Sequence, residues 1–332
     1  SLLCEGASLL AVVNFIKAYV QEQRQTCRYP TATCSLFDWI LRKAGDTEKD
    51  VCRTARKARA APDRIDANYR PELVVAGREW KTIHSFVKPA ADAHSLTTPD
   101  ALIRFAMDQF RRTLSMKKAQ IVVLLTPELM YLQTELPEFP DARSRLFPPD
   151  VGFIEIPYSQ GNSFFFNINV FHEIGHFVFQ QFYRAGRPPL DELAAALSAA
   201  VNAHPELKNL PPEHQAIVTK ALDSWTEEVF SDLYAAALIG PAFAFALIDL
   251  LRLVGLLQDG NEITFNVLHP SPALRVQQVL EQLKADQWWD ELGRIEMEHV
   301  HLIRSLAAMK QEPVILLPEP ELIKASLLET FR

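Results

Sequence analysis

His172, Glu173 and His176 stand inside a run whose other members are apolar or small: Val170, Phe171, Ile174, Gly175, Phe177, Val178 and Phe179. A segment of this kind must be buried on most sides, and buried polar groups are costly unless they are paired or bound to a metal. On an α-helix, residues four apart differ by about 40° in direction and share one face. Both imidazoles can therefore reach one ion, with Glu173 beside them. The order His-Glu-x-x-His supplies two zinc ligands and a general base on one turn. The plainer alternative is a pair of hydrogen-bonded core histidines. Gly175 costs about 1 kcal/mol of helix propensity, which close packing of another element over this helix would explain.

A catalytic zinc usually takes three protein ligands and keeps a fourth position open. The residues from Phe177 to Arg187 contain no histidine, so the extended metzincin motif is absent. A second helical pair lies downstream, where Glu228 and Asp232 are again four apart among Trp225, Val229, Phe230, Leu233 and Tyr234. Together the two pairs resemble the gluzincin pattern of thermolysin-type and HtpX or CAAX-prenyl-protease-type peptidases. That resemblance implies Glu228 as third zinc ligand and Asp232 as the carboxylate that orients a ligand histidine. A zinc-bound imidazole commonly donates its other N–H to a carboxylate, in keeping with this. Glu227 competes for the ligand role, but the residue four positions on is Ser231, so Glu227 is read as a surface acid.

Farther on, His269 opens a His-Pro turn and Arg275 follows six residues later. The same resemblance implies that both help to hold the oxyanion of a tetrahedral intermediate. Read without it, they are a helix-capping histidine and a surface arginine. The resemblance spans residues 150–285, with a long proline-punctuated insert between Arg187 and Pro212 and without the family's membrane helices. It implies a zinc-dependent endopeptidase with one Zn2+ per chain and a protein or peptide substrate. A zincin-fold binding or regulatory module with dormant or absent hydrolysis is the alternative.

The rest of the composition narrows the class. A formal net charge of −7 argues against a general nucleic-acid coat. The basic stretch of Arg53, Arg56, Lys57 and Arg59 reads as a solvated helix face. Cys4, Cys27, Cys34 and Cys52 form no CxxC pair and read as reduced thiols of a cytoplasmic protein. No cleavable leader is read at the N-terminus. Leu233 to Ile248 carries no charge, but it is shorter than the ~20 residues a bilayer requires, and Gly240-Pro241 divides it into two buried helices.

The fold class expected is α+β, mostly helical: a zincin-like core at residues 98–332 with a small sheet, preceded by a helical region at 1–97. Leu9, Leu10, Val13, Ile16 and Val20 mark a first helix; a second is expected over 36–44 and a third over 48–60, with Pro62, Pro71 and 88–99 as connections. Thr98 and Pro99 open a helix. Strands are expected at 121–125 and 151–156, then helices over 167–184, 190–203, 211–239, 241–257, 272–284 and 287–310. The strand at 151–156 stands where a zincin edge strand would pair with an extended substrate, and the loop 158–163 would border the cleft.

Overall fold

The computed structural model describes residues 2–60, 65–93, 96–114, 119–126, 132–133, 147, 151–157, 167–184, 212–253, 270, 272–288 and 293. Four long helices come first: α1 (Leu2–Thr26), α2 (Thr31–Ala60), α3 (Ile65–Asp92) and α4 (Thr97–Leu114). Strands β1 (Gln120–Thr126), β2 (Leu132–Gln133) and β3 (Val151–Pro157) follow. The chain then returns to helix in α5 (Val170–Arg184), α6 (Pro212–Ile239), α7 (Pro241–Leu253) and α8 (Pro272–Ala285). The described residues are thus mostly helical with one small sheet, as the hydrophobic periodicities imply. The helices expected at 190–203 and over most of 287–310 lie outside the described residues. Gln287 itself has a φ of 67°, so no helix starts there.

The chain divides into two units, one of residues 1–100 and 118–162, the other of 101–117 and 163–332. In the first, α1 turns Leu9, Val13, Ile16 and Val20 inward, at the spacing of one helix face. Leu36, Phe37 and Ile40 of α2 meet them, as do Trp80, Ile83, Phe86 and Val87 of α3. Val122 and Leu124 of β1 and Phe153 of β3 close the same core, with Phe147 edge-on to Phe153 at 5.0 Å between centroids. This packing places the strands with α1–α3, whereas the sequence boundary at 97/98 sets them with the metal-site helices.

The breaks expected at 45–47, Pro71 and Pro89 do not occur. α2 runs unbroken through Gly45, because the halves share one core: Ala44 and Val51 are both buried, and Trp80 Nε1 donates to Thr47 Oγ1 at 3.1 Å. α3 continues through Pro71 and Pro89. Each proline removes one helical hydrogen bond, but the carbonyl that Pro89 leaves without an N–H belongs to Ser85, on the exposed side. Burial of Trp80, Ile83 and Phe86 outweighs that loss.

β3 is the central strand, in the order β1-β3-β2. It pairs in parallel with β1 from Gln120↔Val151 to Thr126↔Pro157, and antiparallel with β2 at Glu155 and Ile154. The edge-strand expectation is therefore overturned: the two residues of β2 occupy the middle of the edge that a peptide would have used. The loop 158–163 lies outside the described residues.

In the second unit, α6 packs against α5, α7 and α8. Gly240, with φ +61°, turns the chain between α6 and α7, so the uncharged stretch is two helices and not one span. No helix among the described residues is long and apolar enough to cross a membrane.

Candidate metal centre

The site begins at the N-terminus of α5. Asn169, a residue type that favours the N-cap, precedes the helix, and its carbonyl accepts from the N–H groups of His172 and Glu173 at 3.0 and 3.4 Å. One turn later Gly175 meets α6. A Cβ built on it would lie 2.6 Å from Ser231 Cα, 2.9 Å from Ser231 Cβ and 3.0 Å from Ser231 O. Ser231 is itself small and folds its hydroxyl back onto Glu227 O at 2.8 Å. Two small residues thus let α5 and α6 approach closely, and this brings His172 and His176 against Glu227, Glu228 and Asp232.

The geometry is specific. His172 Nε2 and His176 Nε2 lie 3.0 Å apart. Glu228 Oε2 is 3.5 Å from the first and Glu228 Oε1 3.4 Å from the second. The other nitrogens face separate carboxylates: Asp232 Oδ1 lies 2.9 Å from His172 Nδ1, and Glu227 Oε1 lies 3.1 Å from His176 Nδ1. A carboxylate at Nδ1 fixes the proton there and leaves Nε2 as a lone-pair donor. Two such lone pairs and a carboxylate oxygen then converge on one point, where either a metal ion or, in the metal-free chain, the extra proton of His172 can stand between them.

The distances fit such a cation. A four-coordinate ion with bonds of ~2.0–2.2 Å has ligand atoms about 3.3–3.5 Å apart, close to the observed 3.0, 3.4 and 3.5 Å. His172, His176 and Glu228 are thus a buried group able to hold a metal ion.

Arg275, on the first turns of α8, closes the arrangement. Its Nε and Nη2 donate to Asp232 Oδ2 and Oδ1 at 2.7 and 2.8 Å. Nη1 lies 3.2 Å from Glu228 Oε2. Burial alone would raise the Asp232 carboxyl, but Arg275 and then His172 hold it below the usual carboxylate range. Burial likewise works against a charged His172, yet Asp232 and Glu228 outweigh it and push the metal-free imidazole up to about 10.

The structure thus brings His172, Glu173, His176, Glu228, Asp232 and Arg275 together; His269 lies outside the described residues. Glu227 is not the surface acid of the sequence reading: its side chain is partly buried on His176. The signal that could have found it is the requirement that each ligand imidazole has an acceptor for its second N–H, which Asp232 meets for only one. Glu173 is buried, and among the described residues its carboxylate makes no hydrogen bond or ion pair. Compared with protein-family models, with curated proteins and with solved structures, the chain matches none.

Proposed function

We propose that this chain is a zinc-dependent endopeptidase of the gluzincin type, with a zincin-like core around α5 and α6. The convergence of His172 Nε2, His176 Nε2 and Glu228 beside the buried carboxylate of Glu173 carries the reading. A zinc ion held by those three side chains would acidify a water molecule and polarise a peptide carbonyl. Glu173 accepts the proton of the attacking water and returns it to the leaving amine. Asp232 and Glu227 keep the protons of both imidazoles on Nδ1. Arg275, with its guanidinium spread over Asp232 and Glu228, holds the two carboxylates in register, and this favours a positioning role over direct contact with the oxyanion. An oxyanion donor at His269 rests on the family resemblance.

Among the described residues Arg275 is paired with Asp232 and Glu228, and in the metal-free chain a protonated His172 shares those carboxylates; a divalent cation would take the place of that proton. A dormant binding module has no need of a base beside its metal, so Glu173 favours the enzyme. The reading is tested by incubating the zinc-loaded chain with a mixed peptide library and identifying products by mass spectrometry. Internal cleavage that stops with a chelator and returns with zinc is the expected result. A zinc-loaded chain that leaves the library intact favours the dormant module.

A further inference from the structure

Arg275 has a second relation to the metal centre, beyond aligning its carboxylates. Its Nη2 lies 3.4 Å from His172 Nε2, the atom that would bond the ion, and its Nη1 lies 3.2 Å from Glu228 Oε2. An ion bonded to that imidazole nitrogen at ~2.0–2.1 Å stands no more than about 5.5 Å from Nη2, wherever its other ligands place it. A full positive charge is therefore held beside the position of a divalent cation.

Three features keep the charge there. Asp232 is wholly buried, and Nε and Nη2 hold its two oxygens at 2.7 and 2.8 Å. The guanidinium cannot swing away from an arriving ion without stranding that carboxylate in the interior. Nor can it lose its proton, as a lysine could. Arg275 also stands in the first turn of α8, which carries no acidic residue, at the end where the helix dipole adds positive potential.

The charge acts on the ligands as well as on the ion. Asp232 lies 2.9 Å from His172 Nδ1, and a carboxylate there raises the basicity of a ligand imidazole. With both of its oxygens engaged by the guanidinium, Asp232 supports His172 less. Nη1 likewise draws on Glu228. Direct repulsion, a weaker imidazole and a shared carboxylate all oppose the metal. In the metal-free chain the same charge is favourable, because it pairs two buried carboxylates.

We propose that Arg275 is a built-in competitor of the metal: a fixed cation that completes the metal-free site and holds zinc affinity down, so that occupancy follows the zinc supply. This rests on the zinc reading of the site and is independent of peptide hydrolysis. Coulomb's law sets the least effect to expect. Even with the full screening of bulk water, a unit positive charge about 5.5 Å from a divalent ion weakens its binding roughly tenfold. A buried site screens less.

The test is a zinc titration against a chromophoric chelator, with wild type, Arg275→Gln and Arg275→Lys each checked for fold by circular dichroism. Glutamine keeps a donor for Asp232 but removes the charge, and should bind zinc at least about tenfold more tightly than wild type. Lysine keeps the charge and should stay within a few-fold of wild type. If Arg275 served only to align the ligands, both variants would bind zinc more weakly, and that result overturns the proposal, as does an unchanged affinity in Arg275→Gln. A second measurement needs no variant. In the 15N-labelled wild type, zinc should shift the Arg275 Nη1 resonance as Glu228 turns to the ion, while Nε stays on Asp232. An Nη1 resonance that zinc does not move also overturns it. Wild type and variants that all fail to bind zinc would instead overturn the zinc reading, and this inference with it.

Discussion

Replacing Gly175 with alanine adds one methyl group at the place where α5 and α6 are closest. In an unobstructed helix the exchange stabilises by about 0.5–1 kcal/mol, because alanine loses less backbone freedom on folding. Here the new Cβ would lie 2.6 Å from Ser231 Cα, against an ordinary carbon–carbon separation of about 3.5–4.0 Å. The obstacle is backbone, so no rotamer change relieves it, and α6 must move away by roughly 1 Å. Overpacking of this kind costs about 1–3 kcal/mol, which exceeds the propensity gain. The shift also acts on function. Glu228 and Asp232 flank Ser231 on α6, so the ligand separations of 3.4 and 3.5 Å to the two histidines widen with it. Thermal denaturation of the metal-free chain and a competitive zinc titration against a chelator should show a lower melting temperature and at least about tenfold weaker zinc binding. Gly45→Ala is the control, since a Cβ there meets nothing within 4 Å. It should raise the melting temperature and leave zinc binding unchanged. If Gly175→Ala behaved like Gly45→Ala, the close approach of the two helices would not be what builds the site.

Other outcomes follow from the same geometry. Glu228→Gln removes a ligand and should abolish tight zinc binding. Glu227→Gln should weaken it by only about 10- to 100-fold, since the amide oxygen still accepts from His176 Nδ1; both are read by chelator competition. Arg275→Ala leaves the fully buried Asp232 with His172 alone in place of a two-point guanidinium and should destabilise the chain by up to about 3–5 kcal/mol, measured by urea unfolding. In the metal-free chain His172 is raised from 6.5 to about 10. Its contribution to stability is therefore complete below about pH 6.5 and disappears as pH rises through about 10. Melting temperatures of metal-free chain and of His172→Ala should converge over that interval. Zinc uptake at neutral pH must also displace this proton, visible as a buffer-dependent heat in titration calorimetry.

Much of the site is legible in the sequence because the helix period fixes which side chains share a face. His172 with His176, and Glu228 with Asp232, each come out of a four-residue spacing, and the unexplained Gly175 already implies a close neighbour. What the period cannot supply is the partner across the contact. Ser231 as that neighbour, Glu227 on His176 and Arg275 over two carboxylates all depend on how α5, α6 and α8 meet. The fold shows the same division. The buried runs 121–125 and 151–156 announce strands by their β-branched residues, but that β3 is central depends on the pairing of Leu132 and Gln133, two residues with no periodicity to read. Gly45 and Pro89 are local breakers that the tertiary packing of Val51, Trp80 and Phe86 overrides.

The most direct test of the central claim compares wild type with Glu173→Gln, both carrying one zinc per chain by elemental analysis, expressed in the native host and profiled for new protein N-termini. The account predicts equal metal content, with N-termini that appear in the wild type and are missing in the variant. Equal sets of N-termini from the two zinc-loaded proteins would contradict it.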